Sequence, residues 1–294
     1  MSVGTVMMYV KAAHHTVSGS YPNRNHFAGF MEMALSLGIG LFMIRYFGGN
    51  FSSTWRAKVR TFLDSIMGSQ GITVIIIAIL LIGLMLSASR GGFIAFTISF
   101  VSILAFALTA KGSKLAKDSK LKGDGIVLKL LVFVVFVAIA LNSSEVFLRL
   151  TGGGVSGREF VWEPGLIMAK DYALFGSGLG TFQSAFPFYY PSLSQTWWHA
   201  HMDYLELFIE QGAIGFILFG SSTIAVLVIV FRSYLKRRNA FALGVLFGVL
   251  VGTISILIHE TIDYHFYIPA NAAYFYVLLA IGVVAASLRR RNRV

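Results

Sequence analysis

Runs of continuously apolar residues alternate with polar segments along this 294-residue chain. Seven are long enough to cross a bilayer, near 28–46, 71–89, 92–109, 126–142, 212–231, 241–258 and 270–287. The hydrocarbon layer, about 30 Å thick, takes roughly 20 apolar residues in a helix. Lipid offers no partner to backbone N–H and C=O groups, so a spanning run must be a helix or part of a closed barrel. A barrel strand would alternate in polarity, and these runs do not. The expected fold is an all-α polytopic membrane helix bundle of about seven transmembrane helices. It forms one membrane domain over 1–294, with a long outer loop over 143–211.

The polar segments orient the bundle. Lys and Arg collect in cytoplasmic loops. Here Arg45, Arg56, Lys58 and Arg60 follow the first span, and Lys111, Lys114, Lys117, Lys120, Lys122 and Lys129 lie between the third and fourth. Arg232, Lys236, Arg237 and Arg238 follow the fifth span, and Arg289, Arg290, Arg291 and Arg293 close the chain. These groups hold 18 of the 24 basic residues and alternate with basic-poor loops. The N-terminus is expected outside and the C-terminus inside. All 7 histidines, His14, His15, His26, His199, His201, His259 and His265, then fall on the outer side.

Composition agrees: 56% of the residues are hydrophobic and 13% charged, too apolar for a soluble domain of this length. The net charge of +11 reflects orientation and attraction to anionic lipid, so no nucleic-acid partner is expected. Without cysteine there is neither a disulfide framework nor thiol chemistry. Residues 1–10 lack a basic n-region before an apolar run, so no cleavable signal peptide is expected.

The outer loop carries Trp162, Phe186, Phe188, Tyr189, Tyr190, Trp197 and Trp198. Aromatics at this density suit a segment lying at headgroup level, and also suit sugar stacking. Over 158–171, Phe160, Val161, Leu166, Ile167 and Met168 predict a short helix on the membrane surface.

Chemistry-bearing residues form four outward-facing clusters: PNRNHFAG at 22–29, Ser89-Arg90-Gly91-Gly92, Gly157-Arg158 through GSGLGTF at 176–182, and HAHMDYLELFIEQGAIG at 199–215. Arg90 ends a span, where a charge is tolerated at the interface or in a polar cavity. Its small neighbours leave room for an anion to reach the guanidinium, whose fork matches phosphate; a plain interfacial arginine is the alternative. Arg158 is one of three basic residues among seven acids in the outer loop, and either binds phosphate or pairs with one of those acids. GSGLGTF is no dinucleotide fingerprint, because no strand precedes it; it reads as a close-packed turn. From about Ala200 the pattern turns helical, with Tyr204, Leu205, Phe208, Ile209 and Gly212 on one stripe and His201 at its start. Asp203 and Glu206 suit the first turn of that helix. A histidine held beside carboxylates at the membrane surface is a candidate general base, since a neighbouring acid draws its pKa toward neutrality. His199, His201, His259, Glu260, Asp263 and His265 include metal-ligand types, but HETID is not the HExxH of zinc hydrolases, and no metal is expected. His259, Glu260, Asp263 and His265 otherwise form a polar cap that positions a substrate or is simply solvated.

In these residues the chain resembles the O-antigen ligase / O-antigen polymerase (Wzy-type) superfamily of bacterial inner-membrane glycosyltransferases. The family's ligases carry a histidine, a polar Asn, Ser or Gln, nine residues, a glycine, two residues and a small residue. This chain reads His201, Met202, nine residues to Gln211, Gly212, two residues and Gly215. PNRNHFAGF, SASRGGF and FGSGLGTF are similar to further family segments, in the same order and all outward.

The resemblance implies a GT-C-like membrane enzyme of lipopolysaccharide or polysaccharide biosynthesis. It would catalyse a metal-independent, inverting transfer needing no cofactor. The donor would be a glycan on undecaprenyl pyrophosphate, and the acceptor a hydroxyl of lipid A-core, of a second glycan or of a protein. His201 would be the base or acceptor-orienting group. Arg90, Arg158 and Arg24 would hold the pyrophosphate, with His199, Asp203 and Glu210 in support. The site would face the periplasm. Two other classes stay open: a transporter, and a non-catalytic subunit of a polysaccharide assembly or export complex. Transport paths place charges near the midplane, and here no ionisable residue lies clearly mid-span except Glu32, near the outer end of the first span.

Overall fold

The computed structural model describes residues 17–48, 56, 69–109, 158–191, 196–237 and 239–288. Among them every regular element is helical. These are α1 Arg24–Gly48, α2 Ser69–Leu86, α3 Arg90–Thr109, α4 Glu159–Asp171, α5 Phe182–Ala185, a 3-10 turn Phe186–Phe188, α6 Asp203–Lys236, α7 Ala240–His259 and α8 Pro269–Ser287. Five helices, α1, α3, α6, α7 and α8, are long and apolar enough to cross a membrane, and α2 adds a shorter apolar stretch, Gly71–Leu86. The expected spans near 28–46, 71–89, 92–109, 241–258 and 270–287 each coincide with one helix. The expected span at 126–142 and the basic loop before it lie outside the described residues.

Helix α7 is the axis of the bundle. It is buried almost continuously from Ala242 to Ile256, with α1, α3, α6 and α8 packed around it. In lipid the hydrophobic effect does not favour one helix neighbour over another, so small residues that permit close approach decide the pairing. The contact of α1 with α7 follows this rule. A Cβ on Gly40 would stand 2.3 Å from the Gly244 carbonyl oxygen, and one on Gly248 would stand 2.7 Å from that of Ser36. On the outside of the bundle α2 turns Ile72, Ile75, Ile79 and Ile82 outward, as a lipid-facing surface requires.

The long outer loop is a folded cap with its own core. Val161 and Met168 of α4, Phe182, Phe186, and Leu205 and Ile209 of α6 form one buried cluster. Phe182 and Phe186 stack at 4.8 Å. Phe186 is therefore a core residue and not an interfacial aromatic, whereas Phe188 and Trp198 are exposed. Helix α4 is two-faced, as its sequence predicts, with Phe160, Leu166 and Ile167 exposed opposite Val161 and Met168.

The span expected at 212–231 begins earlier than its apolar run. Helix α6 runs from Asp203 to Lys236 and is broken at Gly212, which has φ 62° and ψ −172°. The break frees carbonyls before it and amides after it, and the glycine-rich turn takes up both. Ser177 and Gly178 donate to the carbonyls of Ile209 and Glu210, both at 2.9 Å, while Ala213 and Ile214 donate to those of Ala173 and Leu174 at 2.8 and 3.3 Å. A Cβ at Gly212 would fall 2.4 Å from Leu174 backbone atoms. That backbone region is nearly glycine-only and strains other residues by about 1–3 kcal/mol. Gly212→Ala is expected to lower the thermal transition of the detergent-solubilised protein by at least about 4 °C. An unshifted transition would mean that the turn and the kink are not locked together.

Charge sorting is visible in the fold. Arg237, after α6, donates to the carbonyls of Ala286 and Leu288 at the end of α8. The described histidines gather at the opposite end of the bundle, around the turn that joins α7 to α8.

Candidate functional site

The α7–α8 turn, residues 260–268, is the floor of this end. Asp263 is fully buried. Its Oδ2 accepts from Asn25 Nδ2 at 2.6 Å and from Arg158 Nη2 at 3.0 Å. His26 Nε2 lies 3.8 Å from its Oδ1. Burial alone would push the carboxyl up, but the adjacent His26 and the charges of His265 and Arg158 outweigh it, holding Asp263 below the usual carboxylate range. Such a group stabilises the fold above its unfolded pKa, and that contribution is lost as pH falls through the folded value.

Tyr264, the next residue, is the hub. Its ring stacks on His199 at 4.2 Å and meets the edges of His26 at 4.6 Å and His201 at 4.9 Å. Neither the spacing nor the residue type marks Tyr264 in the sequence, because its partners come from two distant segments.

The expected arginines approach the same turn. Arg158 precedes α4; its Nη1 donates to the Ile262 carbonyl while Nη2 holds Asp263. Arg90 is exposed at the first position of α3. Its neighbour Gly91 lies so close that a Cβ there would be 2.7 Å from both His259 Nε2 and Ile262 Cδ1. Arg24 opens α1, beside the Asn25 that binds Asp263. Of the two alternatives weighed for Arg158, the pairing with an acid is the one present, although that acid comes from the turn and not from the outer loop.

His201 differs from its expected setting. It is not on the α6 stripe: it sits before the helix in a left-handed conformation, φ 53°, and Met202 caps α6. Its ring lies edge-on to Trp197 and Tyr264, and its buried Nδ1 has no hydrogen-bond partner among the described residues. Burial, then the Arg158 charge, lower its pKa from 6.5 to about 4. The expected shift toward neutrality is therefore reversed, because burial and Arg158 outweigh the nearby Asp263, and the carboxylate at the start of α6 is committed elsewhere. Between those two values the unfolded chain binds a proton that the folded chain refuses, so this histidine makes the fold less stable on acidification.

The committed carboxylate is Glu206. Its Oε1 meets His199 Nδ1 at 2.8 Å, and its Oε2 accepts from the Ala200 amide at 2.7 Å. Asp203 and Glu210, expected to face substrate, face inward. Asp203 is 2% exposed and accepts from the His265 and Phe266 amides at 2.9 and 2.8 Å. Glu210 is 1% exposed and accepts from the Phe182 amide at 3.0 Å and Tyr267 OH at 2.8 Å. Backbone donors in need of buried acceptors claim both residues. They brace the cap and turn from behind.

The polar cap at 259–265 is not solvated: His259, Glu260, Asp263 and His265 are each at most 1% exposed. Burial raises Glu260 to about 8, so it is protonated at neutral pH. His265 Nδ1 lies 3.4 Å from Glu260 Oε2. Deeper still, Glu32 accepts from Ser255 Oγ at 2.7 Å and meets His259 Nδ1 at 3.1 Å.

Met202 explains one departure from the family pattern. It occupies the α6 N-cap in extended conformation, without a side-chain cap among the described residues. Asn, Ser or Gln there would offer an oxygen, and Asn and Ser reach the amides of the first turn well. Met202→Asn is expected to stabilise the protein by about 1 kcal/mol, read as a raised thermal transition in detergent. A lowered transition would show that Met202 packing matters more than the cap.

A bundle of apolar helices with arginines, histidines and buried carboxylates gathered at one end is a multi-pass membrane protein with a polar site at one membrane face. The family model described as O-antigen ligase matches residues 75–220, and the chain belongs to the O-antigen ligase/polymerase superfamily. The matched region contains Arg90, Arg158, the glycine-rich turn and the His201–Gly212 segment, whereas α1 and the 260–268 turn complete the site from outside it. No curated protein matches the chain. The family and the apolar helices together give a multi-pass inner-membrane protein of O-antigen ligase/polymerase type, acting on lipid-linked glycans.

Proposed function

We propose that this protein transfers a glycan from undecaprenyl pyrophosphate to an acceptor hydroxyl at the periplasmic face of the inner membrane, with inversion and without a metal. The acceptor is a hydroxyl of lipid A-core, of a second lipid-linked glycan or of a protein. The observation that carries the reading is the convergence of Arg158 with His201 and His199 around Asp263 and Tyr264, at the bundle end where Arg24 and Arg90 also begin their helices. A departing pyrophosphate needs charge stabilisation, which guanidinium groups provide. An attacking hydroxyl needs a group to orient it and take its proton. His201, neutral at physiological pH, is the histidine placed to receive that hydroxyl. Asp203 and Glu210 support the site by fixing the turn and the cap.

The test is complementation. Cells lacking the gene should accumulate undecaprenyl-linked glycan and lose the mature surface polymer, and the native chain should reverse both. Equal amounts in deleted and complemented cells would replace this reading with that of a non-catalytic assembly subunit.

A further inference from the structure

Proton removal requires a histidine that can carry a positive charge in the transition state. Of the three histidines beside Tyr264, His26 is buried at 2% exposure, and the other two differ in this respect. His201 Nδ1 has no hydrogen-bond partner among the described residues, and burial and the Arg158 charge outweigh the attraction of Asp263, so a charge formed on it is disfavoured. His199 has Glu206 at 2.8 Å, with 27% of the histidine side chain exposed and only 1% of the glutamate. Glu206 is itself fixed by the Ala200 amide at 2.7 Å. A carboxylate bound to Nδ1 sets the tautomer and leaves Nε2 as the basic nitrogen. The ring is held flat against Tyr264, 22° from parallel.

We infer that His199 and Glu206 form the proton-accepting dyad of the transfer, while His201 orients the acceptor hydroxyl. This rests on the glycan-transfer reading above. In the step, the acceptor O–H bond breaks and its proton passes to His199 Nε2. The oxygen bonds the anomeric carbon, and the bond from that carbon to the pyrophosphate oxygen breaks, with the electron pair leaving on undecaprenyl pyrophosphate. His199 is the catalytic group, and Glu206 is a positioning residue that acts through it. The titratable and charged groups around the dyad are Asp203 on α6, His201 before it, Asp263, Tyr264 and Tyr267 on the 260–268 turn, Arg158 before α4 and His26 on α1.

The test uses membranes from cells that hold their own lipid-linked glycan and acceptor, lack the chromosomal copy and express the full chain. Release of undecaprenyl pyrophosphate is followed from about pH 4 to about pH 8, the range that spans histidine titration. His199→Gln should lower release on the order of 10²-fold or more. Glu206→Gln keeps an oxygen for the Ala200 amide but removes the charge. It should lower the plateau and move the acid limb down by about one pH unit, and Glu206→Asp should restore part of both. A Glu206→Gln rate lowered equally at every pH, with the limb unmoved, would reduce the dyad to a structural contact. A His199→Gln rate equal to native would overturn the inference even if the glutamate variant failed to fold, and would leave the glycan-transfer reading standing. No release by the native chain would overturn that reading, and the inference with it.

Discussion

Replacing His201 by glycine is expected to abolish glycan transfer while leaving the fold intact. His201 holds a left-handed conformation with φ 53°, which strains a residue bearing a Cβ by about 1–2 kcal/mol. Glycine relieves that strain, so the thermal transition of His201→Gly in detergent should equal or exceed the native one. Removing the imidazole also deletes a buried Nδ1 that has no hydrogen-bond partner among the described residues, so little bonding is lost. Transfer should nevertheless fall by on the order of 10²-fold, because the acceptor hydroxyl loses the group that orients it, with lipid-linked glycan accumulating in complemented cells. His201→Asn tolerates the same backbone and should be equally inactive, which separates imidazole chemistry from conformation. Turnover within a few-fold of native in the glycine variant would remove His201 from the site.

Arg158→Lys is expected to lose most activity although the charge is kept. The guanidinium uses Nη1 on the Ile262 carbonyl and Nη2 on Asp263, 3.0 Å away. Its other N–H donors lie in the same plane and, among the described residues, have no hydrogen bond that would keep them from a phosphate. An ammonium is a point donor on a flexible stem and cannot brace the turn and fork a phosphate together. Removing one preorganised donor to a developing anion typically lowers kcat by about 10²- to 10³-fold. Measured as release of undecaprenyl pyrophosphate, the loss should fall mainly on kcat, with the thermal transition close to native. Near-normal turnover would mean that Arg158 only braces Asp263, and the anion would then be assigned to Arg90 and Arg24.

The helices were legible in the sequence because membrane spans obey a local rule. Lipid satisfies no backbone group, so each run such as 241–258 or 270–287 must close its own hydrogen bonds, and apolar length alone marks it. Sorting of Lys and Arg is equally local, and it assigns the histidines to one side. The family motif was readable for a similar reason, since His201 and Gly212 lie on one short segment whose spacing is preserved in the chain.

The division of labour among the polar residues belonged to the tertiary structure. The acids Asp203, Glu206 and Glu210 are interchangeable as letters on one helix. Asp203 was claimed by amides of the 260–268 turn, Glu210 by Phe182 and Tyr267, and Glu206 by His199. The pairings of Asp203 and Glu210 join segments far apart in sequence, whereas His199 and Glu206 are 7 residues apart; burial decided all of them, because a buried amide or imidazole must find an acceptor wherever one is within reach. The same holds for Tyr264, which gained its place only when α1, the cap and the turn met around it. The sequence by itself determined which residues reach the membrane surface together, since spans and charges are local properties. Only the tertiary structure decided which of them brace the site and which face a substrate, because hydrogen-bond partners and desolvation depend on neighbours that no local pattern encodes.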